Sequence, residues 1–294
     1  MLKKRLTAIL CALCLATVAG GATGCSGGGG NSSTASTTSA PQDGNGPSTI
    51  TEAPTEPQTE TTAAPSGEDY GLAELAGQTP EVGDPVQKDG KGDAALTEDG
   101  QWIIDNCSTI GQDGTVTVNV QGDGGVAISA EKSLGTEWKV EANFIPIQAY
   151  PAEQPTCARL FINNAEGAEV VLLTVNFINK MEAENTNTVE IALQYNNGRS
   201  WRSLYTGEGW INTTSTAFHF SLSRAEGSDK LTFEVTGDQG ELVNRETLVG
   251  LPEELVDTPV AAGVGVYASA VQYSDIVVES NGSEAFTYNG ISVT

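Results

Sequence analysis

From Trp102 onward the chain repeats one pattern, an apolar residue followed by a polar one. "GTVTVNV" sets Val116, Val118 and Val120 on one side, with threonines and Asn119 on the other. "WKVEANF" alternates through Trp138, Val140, Ala142 and Phe144, and "TVEIALQY" through Val189, Ile191, Leu193 and Tyr195. "FHFSLS" continues with Phe218, Phe220 and Leu222, and "KLTFEVTG" with Leu231, Phe233 and Val235. A period of two is the geometry of a strand with one face in the core and one in water, and it is incompatible with an amphipathic helix. Turn dipeptides punctuate the runs: Asp113-Gly114, Asp123-Gly124, Asn197-Gly198, Gly237-Asp238 and Asn281-Gly282. About thirteen short strands and no long helix predict an all-β fold, an antiparallel jelly-roll β-sandwich over residues 100–294. A chain of that length is sufficient for one core.

The preceding residues have a different character. Residues 69–99 read as an irregular lead-in, with one helical turn allowed by "DYGLAELAG". After Cys25, residues 26–68 are nearly all Gly, Ser, Thr, Pro, Ala, Gln and Glu without an aromatic residue, too little apolar surface to offset ordering, so a disordered linker is expected over 25–68. As a flexible coil it reaches about 35 Å root-mean-square.

Residues 1–24 combine Lys3, Lys4 and Arg5 with an apolar run from Leu6 to Ala19 and a small-residue exit. The run is shorter than the roughly 20 residues a membrane span needs and has the layout of a signal peptide. The exit Ala22-Thr23-Gly24-Cys25 resembles the lipobox of bacterial lipoproteins, with Ala22 where a branched aliphatic residue is usual. The resemblance implies a diacylglycerol on the Cys25 sulfur and cleavage just before it. The partner is then a lipid bilayer, and the protein sits on the extracytoplasmic face of a bacterial membrane, at the cell surface. An ordinary signal peptide with an incidental cysteine is the alternative. Two acyl chains suffice for stable anchoring at about 0.8 kcal/mol per buried methylene.

Without the signal peptide the chain carries 11 basic and 38 acidic residues, a net charge of −27. Phosphate binding needs clustered Lys and Arg, so nucleic acid is excluded as a partner. The scattered acids serve solubility. The turns "QDG" and "GDGG" offer oxygens, yet no dedicated calcium-ligand spacing is present, so neither a metal nor a cofactor is expected.

The segments "WKVEANF", "ARLFINNAEGAEVVLLTVNF", "VEIALQYNNGRSWRSLYTGEGW", "FHFSLSRAEGSDKLTFEVTG" and "AAGVGVYASAVQYSDIVVES" follow one another in an order similar to the concanavalin A-like lectin/glucanase jelly roll. Its closing strands are matched by Gly263-Val264-Gly265-Val266-Tyr267 and by Tyr273 to Val278. The resemblance implies a sandwich over residues 100–294. Such folds include sugar-binding modules, laminin G-like adhesion domains and glycosidases, so function has to come from the site.

Retaining glucanases of this kind resemble a strand reading Glu-x-Asp-x-x-Glu, whose carboxylates stand about 5–5.5 Å apart. The nearest match, "EAENTN", has Glu182 and Glu184 but Asn187 where the second acid belongs. Asp275 and Glu279 share a strand face but stand roughly 13 Å apart. No G-x-S-x-G, H-E-x-x-H or P-loop is present, and His219 reads as a solvated residue on a polar face, so no catalytic residue is assigned.

Sugar binding asks for aromatic faces beside amides and guanidinium groups. "QYNNGRSWRSLYTGEGW" concentrates these. Trp201 and Tyr205 are equally read as core, while Trp210, after Gly207 and Gly209, is expected to be exposed. Alternation turns Gln194, Asn196, Arg202 and His219 away from the core, and with Trp210 they form the expected ligand-binding set. Cys107 and Cys157 are compatible with a disulfide in an exported protein, or with two buried thiols. The sequence therefore reads as a surface-displayed lipoprotein with a non-catalytic domain that binds a carbohydrate or surface polymer. A glycoside hydrolase-like enzyme and a protein-adhesion module are the alternatives.

Overall fold

The structure, a computed structural model, describes residues 69–87, 94–129, 134–164, 168–207, 209–248, 251, 261–281 and 284–288. The signal peptide, Cys25 and the linker up to residue 68 lie outside the described residues. Among those described, no helix is long and apolar enough to cross a membrane.

The helical pieces are single turns, α1 (Leu72–Leu75) and α2 (Met181–Glu184). The strands are β1 (Ala94–Leu96), β2 (Trp102–Asp105), β3 (Ser108–Ile110), β4 (Val116–Ile128), β5 (Trp138–Ala149), β6 (Thr156–Asn163), β7 (Glu169–Lys180) and β8 (Thr186–Asn196). They continue as β9 (Trp201–Thr206), β10 (Ile211–Thr213), β11 (Phe218–Arg224), β12 (Lys230–Gly237), β13 (Gly240–Leu248), β14 (Ala261–Ser280) and β15 (Glu284–Thr287).

Two antiparallel layers form a jelly-roll sandwich. The first runs β1-β2-β4-β14-β6-β7-β8, with β9 and β10 sharing the free edge of β8. The second runs β3-β4-β14-β5-β11-β12-β13, with β15 at the end of β14. Strands β4 and β14 belong to both layers. In β14, residues 261–266 pair with β6, and the chain then shifts register between Tyr267 and Ser269 and pairs with β5. Ala268 takes a positive φ of 45° at that bend. A bulge is how a strand leaves one sheet for another. Where β4 and β14 lie side by side, Gly125 and Gly263 are required: a Cβ on either would collide with the facing carbonyl oxygen, of Val264 or Val126.

The alternating residues fill the space between layers. Val171, Leu173 and Val175 of β7, Val189, Ile191 and Leu193 of β8, and Phe218, Phe220 and Leu222 of β11 join one core cluster. Contacts cross the sandwich directly: Phe177 meets Phe218 at 5.7 Å between ring centroids, and Tyr205 meets Phe233 at 5.1 Å. Each fully buried aliphatic or aromatic side chain contributes about 1.5–3 kcal/mol.

The outer face of the second layer is not open. The lead-in crosses it, with Tyr70 stacked on His219 and Leu72 packed with Ile145 and Ala217. Farther along, Val86 bridges to Val120 in parallel. The expectation for His219 is therefore corrected. Its side chain points away from the core, as alternation requires, but it is only 3% exposed because this segment covers it.

The bridge considered between Cys107 and Cys157 is not formed, and both side chains are buried. Cys107 packs into the core cluster, whereas Cys157 alternates with the core residues Ala158 and Leu160 and lines a cleft on the outer face. The two side chains therefore turn to different environments, one inside the sandwich and one at the cleft.

Candidate functional site

Three neighbouring strands build that outer face in rows. Cys157 of β6 stands beside Asn176 of β7, which stands beside Glu190 of β8. The next row is Arg159, Thr174 and Ala192, and Leu172 and Gln194 follow. With rows about 6–7 Å apart along the strands, these side chains stand together although they lie far apart in the chain. The bend of β14 adds Tyr267 and Ala268, β4 adds Gln121, and the segment after β5 adds Tyr150, Pro151, Gln154 and Pro155. Together they enclose a cleft of about 650 Å³.

Arg159 organises one end. Its Nη1 donates to Asp123 Oδ1 at 2.8 Å, and its guanidinium lies 5.0 Å from the centroid of the Tyr267 ring. Burial works against the arginine's charge, but Cys157, Asp123 and Glu169 outweigh it and raise its pKa above the ordinary value. Glu169 responds in kind: burial pushes its carboxyl up, with Arg159 opposing and Asp123 reinforcing. Tyr267 is 51% exposed. It is thus a large ring open to solvent and held at the cleft by a cation.

Polar groups face it along the rows. Asn176 Nδ2 donates to Glu190 Oε2 at 3.1 Å. Tyr150 donates its hydroxyl to Asn119 Oδ1 at 2.6 Å and accepts from Gln148, so its ring orientation is fixed. Amide and carboxylate groups beside an exposed aromatic ring are suited to a ligand with many hydroxyls and one apolar face.

Of the five residues expected to bind, the cleft takes Gln194 alone. Asn196 lies at the end of β8, where its Oδ1 accepts from the Gly198 backbone N–H and shapes the turn into β9. Arg202 is exposed on β9 opposite Tyr195, and Trp210 is 44% exposed before β10; neither lines the cleft. His219 is on the other layer. Arg159, Asn176 and Glu190 were not singled out by sequence, Tyr267 entered only as part of a strand match, and Asp123, expected with Gly124 in a turn, lies instead inside the continuous strand β4. Arg159 in "CARLFIN" and Glu190 in "TVEIALQ" did carry a signal, a lone charge on the polar parity of an apolar strand.

The cleft face of β8 reads Glu190, Ala192, Gln194, so the strand carries one carboxylate where a retaining hydrolase sets two. The 182–187 motif falls elsewhere. Glu184 is exposed in α2, and Asn187 is buried with its Nδ2 donating to the Ser215 carbonyl at 3.0 Å. Asp275 accepts from Asn143 Nδ2 at 2.9 Å on the second layer. Among the described residues, no group of three or more His, Cys, Asp or Glu side chains is arranged to hold a metal ion.

Under the lead-in lies a second polar cluster. Asn143 Nδ2 donates to the Tyr70 carbonyl and to Asp275 Oδ2, so its Oδ1 is the acceptor for His219 Nδ1–H at 3.0 Å. That leaves His219 Nε2 without its proton, 3.6 Å from Glu141 Oε2. Burial first, and Lys139 second, lower the His219 pKa to about 4. The nearby Glu141 does not reverse this because Lys139 pairs with it at 2.7 Å.

No protein-family profile matches the chain, and no curated protein is similar to it in sequence. Solved structures with a similar arrangement include the Lotus tetragonolobus seed lectin, 9% identical with a TM-score of 0.41, covering 67% of this chain and 98% of the lectin. The Bauhinia forficata lectin in complex with GalNAc is 12% identical with a TM-score of 0.41, over 63% of this chain and 94% of its own. Bacillus licheniformis β-glucanase is 10% identical with a TM-score of 0.39, over 64% and 91%. The chemistry of the cleft rests on this chain's own residues.

Proposed function

We propose that this chain is a surface-displayed, lipid-anchored protein whose cleft binds a carbohydrate or surface polymer without cleaving it. The observation that carries the binding reading is the half-exposed Tyr267 ring, braced by Arg159, above rows of amide and carboxylate groups. A pyranose lays its apolar C–H face on such a ring while the side groups take its hydroxyls. The lone carboxylate of the β8 face supports binding over hydrolysis. The anchoring reading is supported by Ala22-Thr23-Gly24-Cys25.

A glycan array probed with the full chain tests the cleft. Binding is expected, and Tyr267→Ala is expected to weaken it about tenfold, the worth of one stacking contact. Undiminished binding by the variant would remove Tyr267 from the site. Reducing ends released during incubation would replace the binding reading with a hydrolase. Mass spectrometry of the mature N-terminus tests the anchor: an acylated Cys25 is expected, and an unmodified thiol overturns it.

A further inference from the structure

The charge at the cleft bears on which glycan it takes. Arg159 is the one cation among the described residues lining it, and it is already engaged. Its Nη1 holds Asp123, and Tyr267 lies against the guanidinium. Glu169 adds a further carboxyl to the same neighbourhood. Across the rows, Glu190 is a carboxylate, which accepts hydrogen bonds and donates none. A ligand carboxylate or sulfate would meet Glu190 and Asp123 as like charges. At Arg159 it would meet a guanidinium whose charge Asp123, paired to Nη1, already offsets, so it gains little attraction there. The chain's net charge of −24 repels polyanions at longer range as well.

Resting on the reading of the cleft as a glycan site, we propose that it selects uncharged or amino-bearing glycans and turns away uronic-acid and sulfated polymers. An amino sugar gains most, because its ammonium supplies donors to Glu190.

The test uses an array carrying neutral, amino-substituted and uronate- or sulfate-bearing glycans, probed with the full chain at low salt. Hits confined to the first two classes are expected. The acidic form of a matched pair, such as polygalacturonate against its carboxyl-reduced polymer, should bind at least about tenfold more weakly than the neutral form. Raising ionic strength to about 0.5 M should narrow that gap. Asp123→Asn releases Arg159, so the acid-to-neutral affinity ratio is expected to rise about tenfold, and Glu190→Gln should move it the same way. A gain of acidic binding cannot be produced by misfolding. Equal or tighter binding of acidic polymers by the unaltered chain overturns the charge selection and leaves the glycan site standing. An unchanged ratio in both variants also overturns it. No hit in any class overturns the glycan site itself, and this selection with it.

Discussion

Phe220→Ala is expected to destabilise the domain by about 3–5 kcal/mol. The ring is fully buried, 4.6 Å from Phe144 and stacked at 6.3 Å on Tyr273. Alanine removes the transfer energy of the ring and leaves a void that two sheets tied together by β4 and β14 cannot collapse to fill. The midpoint of thermal unfolding should fall by about 10 °C for a domain of this size. The adjacent Ser221 points outward, and Ser221→Ala should stay within about 0.5 kcal/mol. Denaturant titration of both variants checks the pair. A loss below about 1 kcal/mol at Phe220, or equal losses at both sites, would mean that the inward face of β11 is assigned to the wrong parity.

Acid should weaken the fold through His219. Its pKa stands at about 4 in the folded protein against 6.5 when exposed. A depressed value means that the unfolded chain takes up the proton first as pH falls. The stability linked to this residue is complete above about pH 6.5 and is lost progressively as pH falls to about 4. Two and a half pH units correspond to about 3 kcal/mol. The groups facing the ring are Tyr70 from the lead-in, Lys139, Glu141 and Asn143 from β5, and Asp275 from β14 through Asn143. This is the chain's sole histidine, so its imidazole resonances can be followed without assignment. They should titrate near pH 4. In denaturation series from pH 7 to 4.5, His219→Gln should flatten the pH dependence by the same few kcal/mol. Titration near 6.5 would show that the Tyr70 segment does not cover the ring in solution.

Much of the sandwich was legible in the chain. Val140, Phe144, Ile191, Phe220 and Phe233 all face the core because parity along a strand is a local property, set by backbone geometry and readable from a few neighbours. The same parity turned Gln194 and His219 outward. It could not tell that one would line a cleft and the other would be roofed over, because the roof is formed by Tyr70 and Leu72, well over a hundred residues away. It also could not relate Cys107 to Cys157, whose separation depends on which face each strand shows after folding.

The cleft was the least legible part. Composition drew attention to the aromatic-rich stretch from Gln194 to Trp210, yet most of it shapes the β8–β9 turn and the sheet edge. The rows Cys157–Asn176–Glu190 and Arg159–Thr174–Ala192 exist only once β6, β7 and β8 pair in one register, and Tyr267 reaches them only through the bend of β14. Alternation along each segment therefore settled the strands and their inward faces, since those depend on adjacent residues alone. Which distant side chains meet depended on hydrogen-bond register and on a strand changing sheets, and those are properties of the assembled layers.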